Sequence, residues 1–596
     1  MKKAFVIFLS AVLLLLSIFA INLVWFRPFF VDMFYEKVFI ISVLESPQTM
    51  TSLGLPGLGL VNDELDDYSR QSQDEAHKQS EEALATLLEY DVDAMSEEQL
   101  RSRNILIWFL TDIIEARQFR DHGYRVSHNS GVQQSLTDFM INMHVVNDTS
   151  DLEDYLERLN QFDRVFIEVM ASLQDAEKQG IVQPSFMIEK MLADMTTFTR
   201  MPVAQNPLHL DFSEKLARIQ GLSEEERESY KIEFSSAMDN SVLPAYQLYV
   251  DHFSLLLTSS NDDDGVWKLP DGDAYYQYRI KSNTTTDYTA AYLHTLGLEE
   301  VSRIDLEMKE VLVSLGVESA SVTDAMKKFA VDERYLFEDS EVGRQQILDE
   351  YNKIINEINL GMGDVFKRLP VAQLEVLAVP AFLEQTAAGG YYQPPSLGGS
   401  RPGRFFANLY DIKATTKFGM RTLAYHEAVP GHHFQIAIAQ ELEGLPTFRS
   451  VVPFTSFVEG WALYAERLAW ELGYQTDPLD NLGRLSAEKF RAVRLVVDTG
   501  IHHKRWTRER AIAYMSENTD MADSEVVSEI ERYIADPGQA LAYKVGMLKI
   551  LELRKKAKSA LGAKFDLREF HDVVLAHGPL PLMILEELVD EYIQST

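Results

Sequence analysis

The chain has 596 residues, of which 46% are hydrophobic and 25% charged, ordinary values for a globular protein with a sizeable core. Its formal net charge of −35 argues against nucleic acid and anionic lipid headgroups as partners of the body of the protein. The absence of cysteine excludes disulfides, thiol catalysis and cysteine metal sites, so any transition-metal site must use His, Asp and Glu.

The N-terminus begins with Lys2 and Lys3, followed by 23 uncharged, mostly apolar residues from Ala4 to Phe26, then Arg27. About 20 such residues cross a bilayer as a helix. A cleaved signal peptide usually has a shorter apolar run, roughly 7 to 15 residues, and a small-x-small cleavage site. The run ends here in Leu-Val-Trp-Phe, without such a site. The expectation is an uncleaved signal anchor over residues 1–28, a transmembrane helix, with a cleaved signal as the alternative. The basic pair predicts a cytoplasmic N-terminus and an exported domain over residues 45–596, on the periplasmic or extracellular side.

Beyond residue 45 the chain reads as helical. "DEAHKQSEEALATLLEYDV", "SEEQLRSRNILIWFLTDIIEARQF" and "DLEDYLERLNQFDRVFIEVMASLQDAEKQG" place apolar residues three and four apart with charged faces between them. "EEVSRIDLEMKEVLVSLG" and "ILDEYNKIINEINLGMGDVFKRL" continue the pattern. Ser96 and Gly180 stand at expected helix ends. The fold class is therefore mainly α.

"SSNDDDGVWKLPDGDAYYQYRI" (259–280) interrupts it with an Asp- and Gly-rich loop and an alternating aromatic stretch, a candidate lobe boundary. "AAGGYYQPPSLGGSRPGRFFANLYDIK" (387–413) is a second interruption and opens the predicted active-site half, 387–550. Its end reads as a short strand, and "GRFFANLY" is expected to run along the cleft as an edge that pairs with a substrate backbone.

"TLAYHEAVPGHHFQ" (422–435) follows. It resembles His-Glu-x-x-His, in which two histidines stand one helical turn apart. Here Pro430 occupies the second histidine's place and the next histidines are His432 and His433. On a regular helix, residues six apart are about 120° out of phase and residues seven apart stand about 10 Å apart along the axis. Neither histidine then easily shares a zinc with His426. Pro430 and Gly431 predict a break that swings a later histidine back toward His426.

"SFVEGWALYAERLAWELG" (456–473) reads as a helix with Glu459 in an otherwise uncharged start. A carboxylate among such neighbours needs a partner or a metal. Two histidines with Glu459 make a His2Glu zinc site with an open position for water. Glu427 is then the general base, and Glu466, two turns after Glu459, is a candidate acceptor for a ligand histidine.

In "KFRAVRLVVDTGIHHKRW" (489–506), Arg494, Asp498 and His502 share a helix face. The functional reading is that Asp498 orients His502 toward substrate; a surface salt-bridge ladder is the alternative. In "PGQALAYKVG" (537–546), Tyr543 is either an oxyanion donor or a core tyrosine.

The stretches "GVWKLPDGDAYYQYRI", "SRPGRFFANLY", "AYHEAVPGHHFQ", "VEGWALYAE", "RLVVDTGIHHKRW" and "DPGQALAYKVG" run between about residues 265 and 550. Through them the chain resembles the domain of unknown function 885 family, a zincin-like group related in its motif to gluzincin metallopeptidases. The resemblance implies a large multi-helix fold around a deep cleft, with a small strand element at the active site and one bound Zn²⁺ per chain. It also implies peptidase chemistry and a peptide substrate. Related gluzincins place a Gly-His pair at the second ligand, which selects His432 and leaves His433 facing substrate or packed behind the site. The resemblance also favours Tyr543 as catalytic. His433, Glu466, Arg494, Asp498 and Asn408 are the candidates for binding substrate or orienting ligands. The expected function is a zinc-dependent hydrolase of oligopeptides, tethered to a membrane by its N-terminus. The alternatives are a non-catalytic peptide-binding protein and a zinc amidase acting on cell-wall material.

Overall fold

The computed structural model describes residues 5, 9–10, 17, 19–54, 62–380, 384, 388–397, 399 and 401–596. It is mainly helical with one small sheet. Helix ends follow the local chemistry. Ser96 and Gln99 form a capping box at the start of Glu97–Ala116, and Gly180, at φ 79°, follows the end of Phe162–Lys178.

The expected transmembrane helix over residues 1–28 is not supported, because no helix among the described residues is long and apolar enough to cross a membrane. Most of residues 1–18 lie outside the described residues. The helical run stops at Trp25, before Pro28, and Arg27 ties the chain to the body by donating to the Glu89 carbonyl at 2.9 Å. The next helix, Val31–Leu44, carries Asp32, Glu36 and Lys37. It buries Tyr35, whose hydroxyl donates to the Gln99 carbonyl at 2.8 Å.

Among the described residues the buried apolar side chains form three clusters. One, with Phe162, Phe166, Tyr246 and Tyr249, lies almost wholly within residues 126–253. Another gathers helices from both ends of the chain around Phe434, Phe457 and Trp461. The third joins Val493, Val496 and Val497 to Ile530 and Ile534. The stretch 259–280 adds Val266, Leu269 and Ile280 to the second cluster. Its tyrosines stand on helix α1 (Gly272–Thr284), with Tyr275 and Tyr276 buried. Gly272 is required there, since a Cβ would meet the Val266 carbonyl oxygen at 1.9 Å.

The elements around the site are α2 (Ala290–Ser314), α3 (Glu341–Asn359), β1 (Leu374–Ala378), β2 (Gly390–Gln393) and β3 (Gly403–Ala407). They are followed by α4 (Lys417–Glu427), α5 (His432–Glu441), α6 (Thr455–Glu471), α7 (Pro478–His502), α8 (Asp523–Ala535) and α9 (Ala542–Leu561). The sheet order is β1-β3-β2: β1 runs parallel to β3 from Leu374↔Gly403, and β2 runs antiparallel to it from Gly390↔Ala407. This corrects the reading of "GRFFANLY" as an edge. β3 is the central strand, both its sides are hydrogen-bonded, and the free edges belong to β1 and β2.

Helices α6 and α9 cross at unusually close range. A Cβ on Gly546 would meet the Ser456 carbonyl oxygen at 1.8 Å, and one on Gly460 would meet the Gly546 Cα at 2.4 Å. The two glycines bring the turn that carries Glu459 against the turn that carries Tyr543.

Candidate metal centre and active site

The break at Pro430 determines the site. Helix α4 ends at Glu427; Ala428 leaves the helical region at φ −109°, ψ −97°, and the Val429–Pro430 peptide is cis. Helix α5 then restarts at His432. Gly431 is obligatory, because a Cβ there would meet the His426 carbonyl oxygen at 1.9 Å. The Pro430 carbonyl accepts a hydrogen bond from the Trp461 indole at 2.8 Å, which fastens the break to α6. The interruption brings His432 back beside His426, with ring centroids 4.8 Å apart and ring planes at 87°.

One ligand atom from each of His426, His432 and Glu459 falls in a group whose members all lie within 4.8 Å of one another. Glu459 Oε2 is 3.6 Å from His426 Nε2 and 3.4 Å from His432 Nε2. These separations are long for hydrogen bonds. They match two ligands on one tetrahedral ion, which at zinc bond lengths stand about 3.3 Å apart. Glu459 Oε2 is buried and has no hydrogen-bond partner. Leaving such an atom bare is costly, and a cation among the three ligand atoms would satisfy it. The donor set thus fits zinc.

The surrounding groups orient the ligands. Glu466 Oε1 accepts from His426 Nδ1 at 2.7 Å, which directs the lone pair of Nε2 into the group. Burial alone would lower the proton affinity of His426, but Glu459 and Glu466 outweigh it and raise its pKa to about 9. Burial would raise that of Glu459, yet His432 and His426 pull it well below the usual carboxylate range. Glu427, 7% exposed, is raised by burial, with Glu459 adding to the shift and His426, His432 and Arg491 opposing it. Tyr543 is half-buried. Burial and then Glu459 raise its pKa, against the positive charges of Arg494 and Arg532.

The other candidates stand elsewhere. His433 faces the sheet: its Nδ1 pairs with the Tyr392 hydroxyl at 3.0 Å, and burial lowers its pKa to about 4. Arg494 bonds Tyr533 Oη at 2.8 Å and Glu529 at 3.0 Å, and its guanidinium lies 4.6 Å from the Tyr543 ring centroid, so it supports that ring.

Asp498 does not orient His502; each is held by other partners. Val266 N–H donates to His502 Nδ1 at 3.2 Å, and Nε2 donates to the Tyr533 carbonyl at 2.9 Å, so both ring nitrogens are held by main chain. Asp498 instead accepts from the Tyr276 hydroxyl and from Gly538 N–H at 3.1 Å. Burial raises its pKa to about 7. The pair clamps α1 and the segment before α9 onto α7. Asn408 braces the end of β3: its side-chain amide donates to the Glu384 carbonyl at 2.8 Å, and its Oδ1 accepts from Tyr410 N–H at 3.0 Å.

Arg491 and a buried ionic cluster around Glu488 were not singled out from sequence. Arg491 stands three residues before Arg494 on the same helix face, and that spacing was the available signal.

A family model described as bacterial protein of unknown function (DUF885) matches residues 47–589. The crystal structure of a candidate lipoprotein from Colwellia psychrerythraea is 36% identical, with a TM-score of 0.92, over 95% of this chain and 99% of that one. A candidate lipoprotein of unknown function from Shewanella oneidensis is 18% identical, with a TM-score of 0.70, over 93% and 98%, a likeness of fold alone. Pz peptidase A with inhibitor 2 reaches a TM-score of only 0.35 at 13% identity, over 88% and 97%, which carries no argument. No curated protein matches the chain.

Proposed function

The chain belongs to the DUF885 family of bacterial proteins, and on that premise we propose that it is a zinc-dependent peptidase acting on oligopeptides. The observation that carries the reading is the bare, buried Oε2 of Glu459 facing His426 and His432, with Glu427 adjoining His426. A binding protein would not need Glu427 at that place, since Glu427 is not one of the three grouped ligands.

His426, His432 and Glu459 would hold the zinc, and Glu466 keeps the His426 ring in register. Zinc bound there supplies Lewis acidity, polarising a scissile carbonyl and lowering the pKa of a bound water. Glu427 accepts the proton of the attacking water at its carboxylate and returns it to the leaving amine. Tyr543 donates from its hydroxyl to the developing oxyanion, its ring held in place by Arg494.

The protein is expected to bind about one zinc per chain, and His426→Ala and Glu459→Ala should each abolish that binding. Metal analysis by mass spectrometry, paired with a peptide-library digest with and without chelator, tests both halves. Tyr543→Phe should lower turnover by about 10²-fold with a weaker effect on substrate affinity. A zinc-loaded protein that cleaves nothing across a broad library excludes the peptidase reading.

Export is the proposed location, supported by the likeness to the Colwellia psychrerythraea candidate lipoprotein, 36% identical. The 596 residues offer no cysteine thiol for a lipid chain. Recovery of the protein in the cytoplasmic fraction of lysed cells would exclude export.

A further inference from the structure

The two buried arginines of α7 are neutralised, and the third is not. Arg484 pairs with Glu488 at 3.0 Å and Arg494 with Glu529 at 3.0 Å. Arg491 is half-buried and forms no ion pair among the described residues. Its Nε is buried without a hydrogen-bond partner. Its one hydrogen bond runs back along its own helix, from Nη1 to the Ala487 carbonyl at a long 3.4 Å. Its guanidinium lies 5.1 Å from the Phe490 ring centroid but meets no carboxylate at ion-pair distance among the described residues, in a chain with 91 acidic residues.

Its position is specific. Helix α7 packs directly on α4, the helix that ends in His426 and Glu427. Arg491 lies one turn before Arg494, whose guanidinium supports the Tyr543 ring.

We infer that Arg491 is a specificity residue that binds a carboxylate of the substrate close to the scissile bond. A guanidinium presents a planar fork that suits a carboxylate, and the partial burial of Arg491 strengthens the pair. Because α7 packs on the helix that ends in His426 and Glu427, the carboxylate lies within a few residues of the cleaved bond. Two sources share this chemistry: the C-terminal carboxylate of a short peptide and an acidic side chain. The inference rests on the peptidase reading for its catalytic consequence, but not for the binding itself.

The test compares three peptides of one sequence: the free acid, its C-terminal amide, and an amide carrying Asp near the cleaved bond. Wild-type protein is expected to favour a carboxylate-bearing form by about 10- to 100-fold in kcat/KM, chiefly through KM. Arg491→Gln should remove that preference, and Arg491→Lys should restore part of it. Preference for the free acid alone identifies the terminus as the ligand; equal preference for the Asp peptide identifies a side chain. Equal handling of all three peptides, or a preference that survives in Arg491→Gln, overturns the inference. Equilibrium binding of the same peptides to zinc-loaded Glu427→Gln separates it from the peptidase reading. Tighter binding of a carboxylate form, lost when Arg491→Gln is added, upholds the inference even if no peptide is ever cleaved. Equal binding of all three refutes it.

Discussion

Glu427→Gln is expected to cut peptide hydrolysis by at least about 10²-fold, and up to about 10⁴-fold, while zinc content and fold stay unchanged. The substitution keeps the volume of the side chain and one carbonyl oxygen, so it can still hydrogen-bond to water. What it loses is the ability to take a proton. Zinc content should not follow, because the grouped ligand atoms come from His426, His432 and Glu459, and Glu427 contributes none. The fold should not follow either, since an amide is cheaper to bury than a carboxylate in the place of Glu427, 7% exposed. Metal analysis, circular dichroism and initial rates on one susceptible peptide make the measurement. Unchanged rates would remove Glu427 from the chemistry, whereas lost zinc would make it a ligand.

The parts of this site that the sequence made legible are those in which a residue's own neighbours decide its fate. Pro430 and Gly431 cannot continue a helix, so a break was predictable, and it places His432 beside His426. Glu459 stood out because a carboxylate in Val-Glu-Gly-Trp-Ala has no local partner. The parts that misled depend on elements far along the chain. Asp498 and His502 are four apart and share a face, yet each is captured by another segment: Asp498 by Gly538 and Tyr276, His502 by Val266 and Tyr533. Main-chain groups of remote segments leave no trace in the local pattern. The same holds for "GRFFANLY", where strand character was readable but its central place between β1 and β2 was not. Arg491 was overlooked for a related reason: the lack of a partner becomes visible only once every neighbour is in place.

Glu488→Leu is expected to destabilise the protein by about 3–5 kcal/mol at neutral pH. Glu488, 1% exposed, joins three helices. Its Oε1 meets Lys544 of α9 at 2.7 Å and also Arg303 of α2, and its Oε2 meets Arg484 of its own helix at 3.0 Å. Lys544 is fully buried and retains one carboxylate, Glu300 at 2.9 Å, once Glu488 is gone. Removing one carboxylate therefore strands positive charge that cannot reach water, and the loss exceeds that of any exposed pair. Burial alone would raise the pKa of Glu488, but Lys544, Arg303 and Arg484 outweigh it and hold the carboxyl below its usual range. The sign follows from that depression. Its contribution is fully present above the ordinary glutamate value of about 4.3 and is lost as the pH falls through the lower folded-state value. The stability gap between wild type and variant should thus be fully open at pH 7 and close in strong acid. Denaturant melts at several pH values measure it, and a gap below about 1 kcal/mol at pH 7 would refute the assignment. Zinc content should persist, because the ligands stand on α4, α5 and α6, outside the cluster. Turnover should fall for a different reason: α7 and α9 carry Arg494 and Tyr543, and the cluster fixes one helix against the other. Adding Lys544→Met to Glu488→Leu removes the stranded charge and should recover part of the lost stability, a non-additivity that a merely local packing defect would not produce.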